Sequence, residues 1–243
     1  MVLNRKRRLR ITETGETGEQ KLGNSQWFLE LLQQLGQEVW VGDAAQIRAS
    51  YVRQQKTDKR DAAHLLKRLM EDRFPKLWVP SSEQRDVRQL LIHRHKLVEI
   101  RSRVKNGLQH LAMNRGVQKK HKRWSAAGQK LLRELPLAGW AACRRQDLLQ
   151  LLAYRDRQIV PLDRAAEETA RRDKMAQLLR TQPGVGPITA LAFVVTIGEA
   201  TRFQRGKQVA SYLGLIPREH SSGGQQRLGA ISKQAIVFCA NCW

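Results

Sequence analysis

Apolar positions change their period along the chain, and each change marks an element. Trp27, Phe28, Leu31, Leu32 and Leu35 recur at helical spacing and stop at Gly36, a natural C-terminal cap, which predicts a helix. Glu38-Val39-Trp40-Val41-Gly42-Asp43 then reads as a short strand. Helix, glycine and strand in that order make an α/β unit, whose strand needs neighbours, and too little chain precedes it to supply them. A second helix is predicted to begin near Thr57, whose hydroxyl can cap it, and to run through Ala62, Leu65, Leu66 and Leu69. Phe74-Pro75 closes it, and Leu77-Trp78-Val79-Pro80 is a short extended piece.

Beyond Ser81 or Ser82 the period becomes that of a bundle. Leu90, Leu97, Val104 and Leu111 stand one heptad apart, with Val87, Leu91, Val98 and Leu108 beside them, so one long helix with a coiled-coil-like seam is predicted. Its other faces carry Arg88, His93, Arg94, His95, Lys96, Arg101, Arg103 and Lys105, and Lys119-Lys120-His121-Lys122-Arg123 follows it. A second arm from about Arg144 to Arg180 carries Leu148, Leu149, Leu151, Leu152, Ile159, Leu162, Leu178 and Leu179, with Pro161 as a kink or restart. Two striped arms of similar length invite antiparallel pairing. From Thr181 the chain is Gly-punctuated: Pro183-Gly184-Val185-Gly186-Pro187, an apolar helix over 188–197, a basic stretch over 201–208, then Tyr212-Leu213-Gly214-Leu215-Ile216-Pro217. The expected division is a poorly ordered segment 1–26, an α/β fragment 27–80, a helical region 81–180 and a compact C-terminal domain 181–243, which is mostly α with a partial α/β.

Charge narrows the function classes. Lys and Arg number 44 against 22 Asp and Glu, a formal net charge of +22 with a pI near 10.9, so the surface repels itself unless a polyanion relieves it. Ile188 to Ile197, the best apolar run, is about half the ~20 residues a bilayer span needs. The basic run Asn4 to Arg10 leads into polar residues rather than an apolar signal core, so the expected location is the cytoplasm, with no membrane partner. Cys143, Cys239 and Cys242 make neither a disulfide framework nor a paired-cysteine metal site.

Three segments carry candidate chemistry. In Lys56-Thr57-Asp58-Lys59-Arg60-Asp61-Ala62, two aspartates three apart in a first helical turn share a face and can hold part of a divalent-metal set. Acids also favour helix N-termini for the dipole alone, so the spacing leaves both readings open. Gly184 and Gly186 form a tight turn opening a helix, where bare N–H groups can meet a phosphate as in helix-hairpin-helix motifs; an ordinary turn before a core helix has the same look. Ser221 and Ser222, beside glycines and flanked by Arg218 and Arg227, can supply a nucleophile toward a phosphodiester, although Ser-Ser-Gly-Gly is equally what a solvent loop looks like.

Taken together and in order, these segments resemble the insertion sequence 110 (DEDD) transposase family. The resemblance is carried by Trp40 to Arg48, the stretch 56–62, Trp78-Val79-Pro80, the Leu90 to Asn106 helix and Gln182 to Ala190. Arg202-Phe203, Ala210 to Pro217 and Ser221-Ser222-Gly223 complete it, over about residues 24–234. It implies an RNase H-like (RuvC-like) domain holding Mg²⁺ through three aspartates and a glutamate, a coiled-coil middle and a C-terminal transposase domain with helix-hairpin-helix and a serine nucleophile. It also implies excision and insertion of DNA at sites chosen with an element-encoded RNA. Asp58 and Asp61 match the last two acids, and Ser222 or Ser221 the serine. Lys56, Arg60, Arg202, Arg218 and Arg227, with Gly184 and Gly186, are the expected nucleic-acid contacts. Paired arms suggest a homo-oligomer, though the same pattern allows pairing within one chain.

The departures bear on activity. The family's first strand with its leading aspartate is absent, since only 23 residues precede the point where the resemblance begins, and Glu19 stands near the quartet glutamate but out of register. After Gln234 the family continues with Gly-Asn and a Leu/Arg-rich helix, which a one-base frame change in Ala235 to Trp243 would restore. The expectation is a transposase copy that keeps nucleic-acid affinity and is impaired in cleavage. The alternative is a non-catalytic nucleic-acid-binding protein that modulates an intact transposase. A basic structural or ribosome-associated protein is a third reading, in which the aspartate pair and the serines have no role.

Overall fold

The structure, a computed structural model, describes residues 8–12, 26–50, 58–117, 124–222 and 224–231. The described residues are mostly helical, with a partial sheet, and form two compact units: those up to Ser81 together with those from Thr201 on, and those from Ser82 to Ala200.

In the first unit, strand β2 (Glu38–Gly42) has a neighbour on each side. Strand β1 (Arg8–Thr12) runs parallel to it in the register Arg8 to Glu38 through Thr12 to Gly42. Residues 8–12 thus supply a neighbour for β2, and the rest of the segment 1–25 lies outside the described residues. Leu9 and Ile11 alternate with Arg8, Arg10 and Thr12, a two-residue period hidden inside a basic run. On the other side Gly42 bridges Lys76, Leu77 N–H donates to the Val41 carbonyl (2.8 Å) and Asp43 N–H to that of Pro75 (2.9 Å). Helix α1 (Gln26–Gln34) buries Leu29 and Leu32 and ends at Gly36 (φ 69°), a left-handed turn suited to glycine. Helices α2 (Ala44–Ala49) and α3 (Asp58–Met70) follow β2. Ile47, Leu65 and Phe74 form the core between them, with Trp40 and Leu69 packed against it.

The second unit is built on two long helices, α4 (Ser82–Met113) and α6 (Gly139–Arg172), with α5 (Ala126–Arg133) between them in sequence. They are antiparallel, since Arg94 pairs with Asp163 (2.6 Å) and Arg101 with Asp156 (3.4 Å): seven residues forward on α4 is seven back on α6. Val104, Leu108 and Leu152 close the seam with Ile100, Leu148 and Leu149. Pro161 lies inside α6 and does not restart it; the ring removes one N–H donor, and packing along α4 carries the helix through. Arg88, Arg94 and Arg101, on the faces of α4 beside the heptad seam, reach carbonyl or carboxylate partners with their guanidinium groups.

Helices α7 (Lys174–Arg180) and α8 (Pro187–Ile197) pack onto α6, and α8 also meets α4. The compact units divide at Ser81/Ser82 and Ala200/Thr201. A helix as apolar as α8, with Ala190, Leu191, Ala192, Val195, Thr196 and Ile197 all buried, must be enclosed by neighbours. Arg88 donates twice, through Nε (2.9 Å) and Nη2 (2.6 Å), to the Val195 carbonyl, one of the last-turn groups of α8 that has no partner within the helix. A 3₁₀ turn (Ala200–Arg202), α9 (Gly206–Tyr212) and the antiparallel pair β3 (Pro217–Glu219) and β4 (Leu228–Ile231) belong to the first unit.

Candidate functional site

The first unit contains two of the three expected chemical segments. Asp58 opens α3 and Asp61 lies one turn on, half-buried, in the position the helix period requires. The Asp58 side chain, Lys56 and Glu19 lie outside the described residues. Arg60 is exposed on the same turn. The start of α3 is tied back to the end of α2 by Ser50 Oγ and His64 Nε2, 2.9 Å apart, a contact that sequence spacing did not announce because it joins residues 14 apart. Two carboxylates one turn apart suit part of a hard, oxygen-bound divalent cation's set. Among the described residues, however, no group of three or more acidic, histidine or cysteine side chains converges to complete one.

The serine segment is a hairpin tip with unequal serines. Ser221 Oγ–H donates to Glu219 Oε1 (2.6 Å), and Ser221 Oγ accepts the Arg227 N–H (3.1 Å), while His220 N–H donates to the Arg227 carbonyl (2.9 Å). Ser221 thus takes the place of a ladder bond in the β3–β4 pair, whose register shifts between Pro217 and Glu219. Ser222 sits at the turn itself, exposed, with its backbone bonded both ways to Gln225. Glu219 and Ser221 are two apart, so strand alternation puts both on one face, a legible signal that the motif reading passed over. Arg218 and Arg227 are exposed. Arg202 is different: its guanidinium lies over the rings of Trp78, Phe203 and Tyr212.

The glycine turn falls in the second unit, between α7 and α8. Gly184 has φ 83°, Gly186 is the N-cap of α8 and Pro187 its first residue. A Cβ at Gly184 or Gly186 would meet nothing within 4 Å, so the space before the helix N-terminus is open. On α4, Lys96 donates to Glu99 Oε2 (2.9 Å) and holds that carboxyl below the usual glutamate range. No helix among the described residues is long and apolar enough to cross a membrane.

Comparison with known proteins decides what these parts belong to. The model of the DEDD class of IS110 transposases matches residues 12–113, and that of the transposase IS116/IS110/IS902 family matches residues 176–236. The chain belongs to the IS110 transposase family. It is 32% identical over 222 residues to a probable family 20 transposase of Pseudomonas aeruginosa, covering 89% of this chain and 65% of that protein. It is 29% identical over 197 residues to the transposase for insertion sequence element IS1111A of Coxiella burnetii, covering 77% of this chain and 53% of the relative. A pilin gene-inverting protein of Moraxella bovis is 32% identical over 171 residues, covering 69% of this chain and 44% of its own length. This transposase-family chain thus spans between about half and two thirds of the length of the first two relatives. Membership of the DEDD class implies dependence on a divalent metal.

Proposed function

We propose that this chain acts on DNA in the transposition of a bacterial insertion sequence, with Ser222 as the nucleophile and Asp58 and Asp61 as ligands of a divalent cation, Mg²⁺ in the cell. The observation that carries the reading is that the serine hairpin and the acid-bearing α3 belong to one compact unit, although more than 150 residues of chain separate them. In the proposed step Ser222 Oγ attacks a backbone phosphorus, its proton leaves to solvent, and the sugar oxygen on the far side departs. Arg218 and Arg227 neutralise the charge that develops on the phosphoryl oxygens. The bound cation supplies further charge stabilisation at that phosphate. Ser221 frames the tip: its hydroxyl is engaged by Glu219 and the Arg227 N–H.

The partial RNase H-like character of the first unit is part of the same reading, supported by a parallel strand pair leading into the helix with the aspartates. DNA backbone is gripped in the second unit by the helix-hairpin-helix turn at Gly184 and Gly186; Lys56 and Arg60 are separate nucleic-acid contacts of the first unit, and site choice uses an element-encoded RNA bound by a homo-oligomer. Cleavage is expected to be weak, because Glu19 stands out of register with the family's quartet glutamate. That same departure favours, as the second reading, a binding-only protein that modulates an intact transposase. The likeness to a protein named for inverting a pilin gene makes inversion of a DNA segment a second use of the same chemistry.

The test is cleavage of element-end DNA by the full chain with Mg²⁺ and the element's RNA, followed on labelled strands. Weak cleavage lost in Asp61→Asn and in Ser222→Ala supports the reading. Cleavage in Ser222→Ala equal to wild type overturns the nucleophile, and salt-dependent binding with no cleavage in any variant moves the binding-only reading ahead.

A further inference from the structure

Three sequence blocks that carry the family resemblance have no part in the chemistry above: Trp78-Val79-Pro80, Arg202-Phe203 and Tyr212-Leu213-Gly214. In the first unit they meet at one cation. The Arg202 guanidinium carbon lies 4.5 Å from the Trp78 ring centroid, 5.2 Å from that of Phe203 and 5.3 Å from that of Tyr212. The Phe203 and Tyr212 rings themselves meet edge-on, 5.3 Å apart at 62°. A guanidinium is flat, permanently charged and weakly hydrated, so it can lie against several rings at once where a lysine ammonium cannot. Arg202 is also half-buried, unlike the exposed Arg218 and Arg227.

Each ring is anchored to a part of the proposed site. Trp78 follows Leu77, whose N–H is bonded to Val41 of β2 (2.8 Å), so this ring is fixed to the strand that leads into α2 and α3. Tyr212 is the last residue of α9. Immediately beyond it the chain turns at Gly214 (φ 64°), with Leu215 N–H bonded to the Ala210 carbonyl (2.8 Å), and runs into the serine hairpin.

We infer that Arg202 is a positioning residue and not a phosphate contact: clasped by Trp78, Phe203 and Tyr212, it docks the segment from Phe203 through α9 and the serine hairpin onto β2. The functional meaning of that docking rests on the reading of Ser222 and the aspartates above; the docking itself does not. Phe203 and Tyr212 come from the docked segment and Trp78 from the receiving one, so removing the cation frees one side from the other without emptying either core.

Hydrogen exchange by the full chain, with duplex-DNA binding measured across salt, separates the alternatives. In Arg202→Met, amides of 203–216 and of the hairpin 217–231 are expected to exchange about ten-fold faster, with α4 and α6 unchanged; Arg202→Lys recovers part of the protection, and Trp78→Phe gives a milder copy of the effect. The slope of log affinity against log salt stays at its wild-type value. A slope shallower by about 0.9, the loss of one phosphate contact, with exchange unchanged makes Arg202 a DNA ligand and overturns the inference. Faster exchange confined to 200–212 overturns it as well, because the cage would then be local. Exchange needs no DNA chemistry, so failure of the docking and failure of the nucleophile assignment give different results.

Discussion

Gly42→Ala tests the packing that holds α3 in place. The glycine's backbone conformation is open to any residue, so the whole effect comes from the added methyl group. That carbon would stand 2.5 Å from Phe74 Cζ, 2.9 Å from Ile47 Cδ1 and 3.1 Å from Phe74 Cε2. Carbon atoms prefer roughly 3.5–4.0 Å, so the ring must retreat by about 1 Å. It has little room: Phe74 is 8% exposed, Ile47 6% and Leu65 6%, and they form one cluster. Overpacking of this kind costs about 1–3 kcal/mol, offset by roughly 0.5–1 kcal/mol because alanine loses less backbone entropy than glycine in a strand. The net is about 1–2 kcal/mol, or a fall of roughly 2–8 °C in the melting temperature of a chain this size. Urea denaturation followed by near-ultraviolet circular dichroism, where Trp40 beside Phe74 reports, measures it. Phe74→Leu removes the colliding ring atoms, so the double variant is expected to be more stable than the sum of the singles by about 1 kcal/mol. Additivity within about 0.5 kcal/mol would show that the ring does not bear the strain and would refute the packing argument.

Leu108→Ala, at a residue 1% exposed in the α4–α6 seam, is expected to destabilise the chain by about 2–5 kcal/mol in the same denaturation assay; a loss under about 1 kcal/mol would mean the arms do not pair through this seam. Asp163→Ala breaks the pair with Arg94, but with that carboxylate's side chain 46% exposed the expected loss is only about 0.5–1 kcal/mol, and a larger one would show Arg94 stranded in a drier site than its geometry indicates. Ser221→Ala is expected to slow cleavage by loosening the hairpin, with Ser221→Thr restoring most of the rate, whereas Ser222→Thr restores little; equal rescue at both positions would erase the distinction between frame and nucleophile.

Some elements were legible because one local signal decides them. The Leu90 to Leu111 heptads and the opening at Ser82 announced α4, and Gly36 announced the end of α1, since in each case side-chain period or backbone freedom is written in adjacent residues. Strand β1 was missed because Arg8 and Arg10 read as a charge run, and only pairing with β2 gives their alternation with Leu9 and Ile11 a meaning. Burial of α8 against α4 and α6 is a tertiary demand that no local pattern states. At the candidate site the helical spacing of Asp58 and Asp61 was readable. The unequal serines and the Arg202 cage were not, because both depend on which residues distant in sequence come to face each other.

The charge that suggested a polyanionic partner also fixes how the fold should respond to salt. Two effects oppose each other. The described ion pairs across the α4–α6 seam are short, 2.6 Å for Arg94–Asp163 and 3.4 Å for Arg101–Asp156, and their arginine side chains are only 22% and 29% exposed. Their carboxylates, however, are 46% and 50% exposed, so each pair is worth only about 0.5–1 kcal/mol and added salt has little attraction to remove. The surplus of 22 positive charges acts over tens of ångströms, well beyond the screening length of about 10 Å at 0.1 M salt, so added salt removes most of that repulsion. Relief of repulsion therefore wins, and the melting temperature is expected to rise between about 0.05 and 0.3 M sodium chloride while affinity for duplex DNA falls over the same range. Opposite signs for stability and binding are what a long-range surplus demands. If the melting temperature fell in step with affinity, the short pairs would dominate the fold's electrostatics, and the surplus charge would have to be arranged so that it barely repels itself.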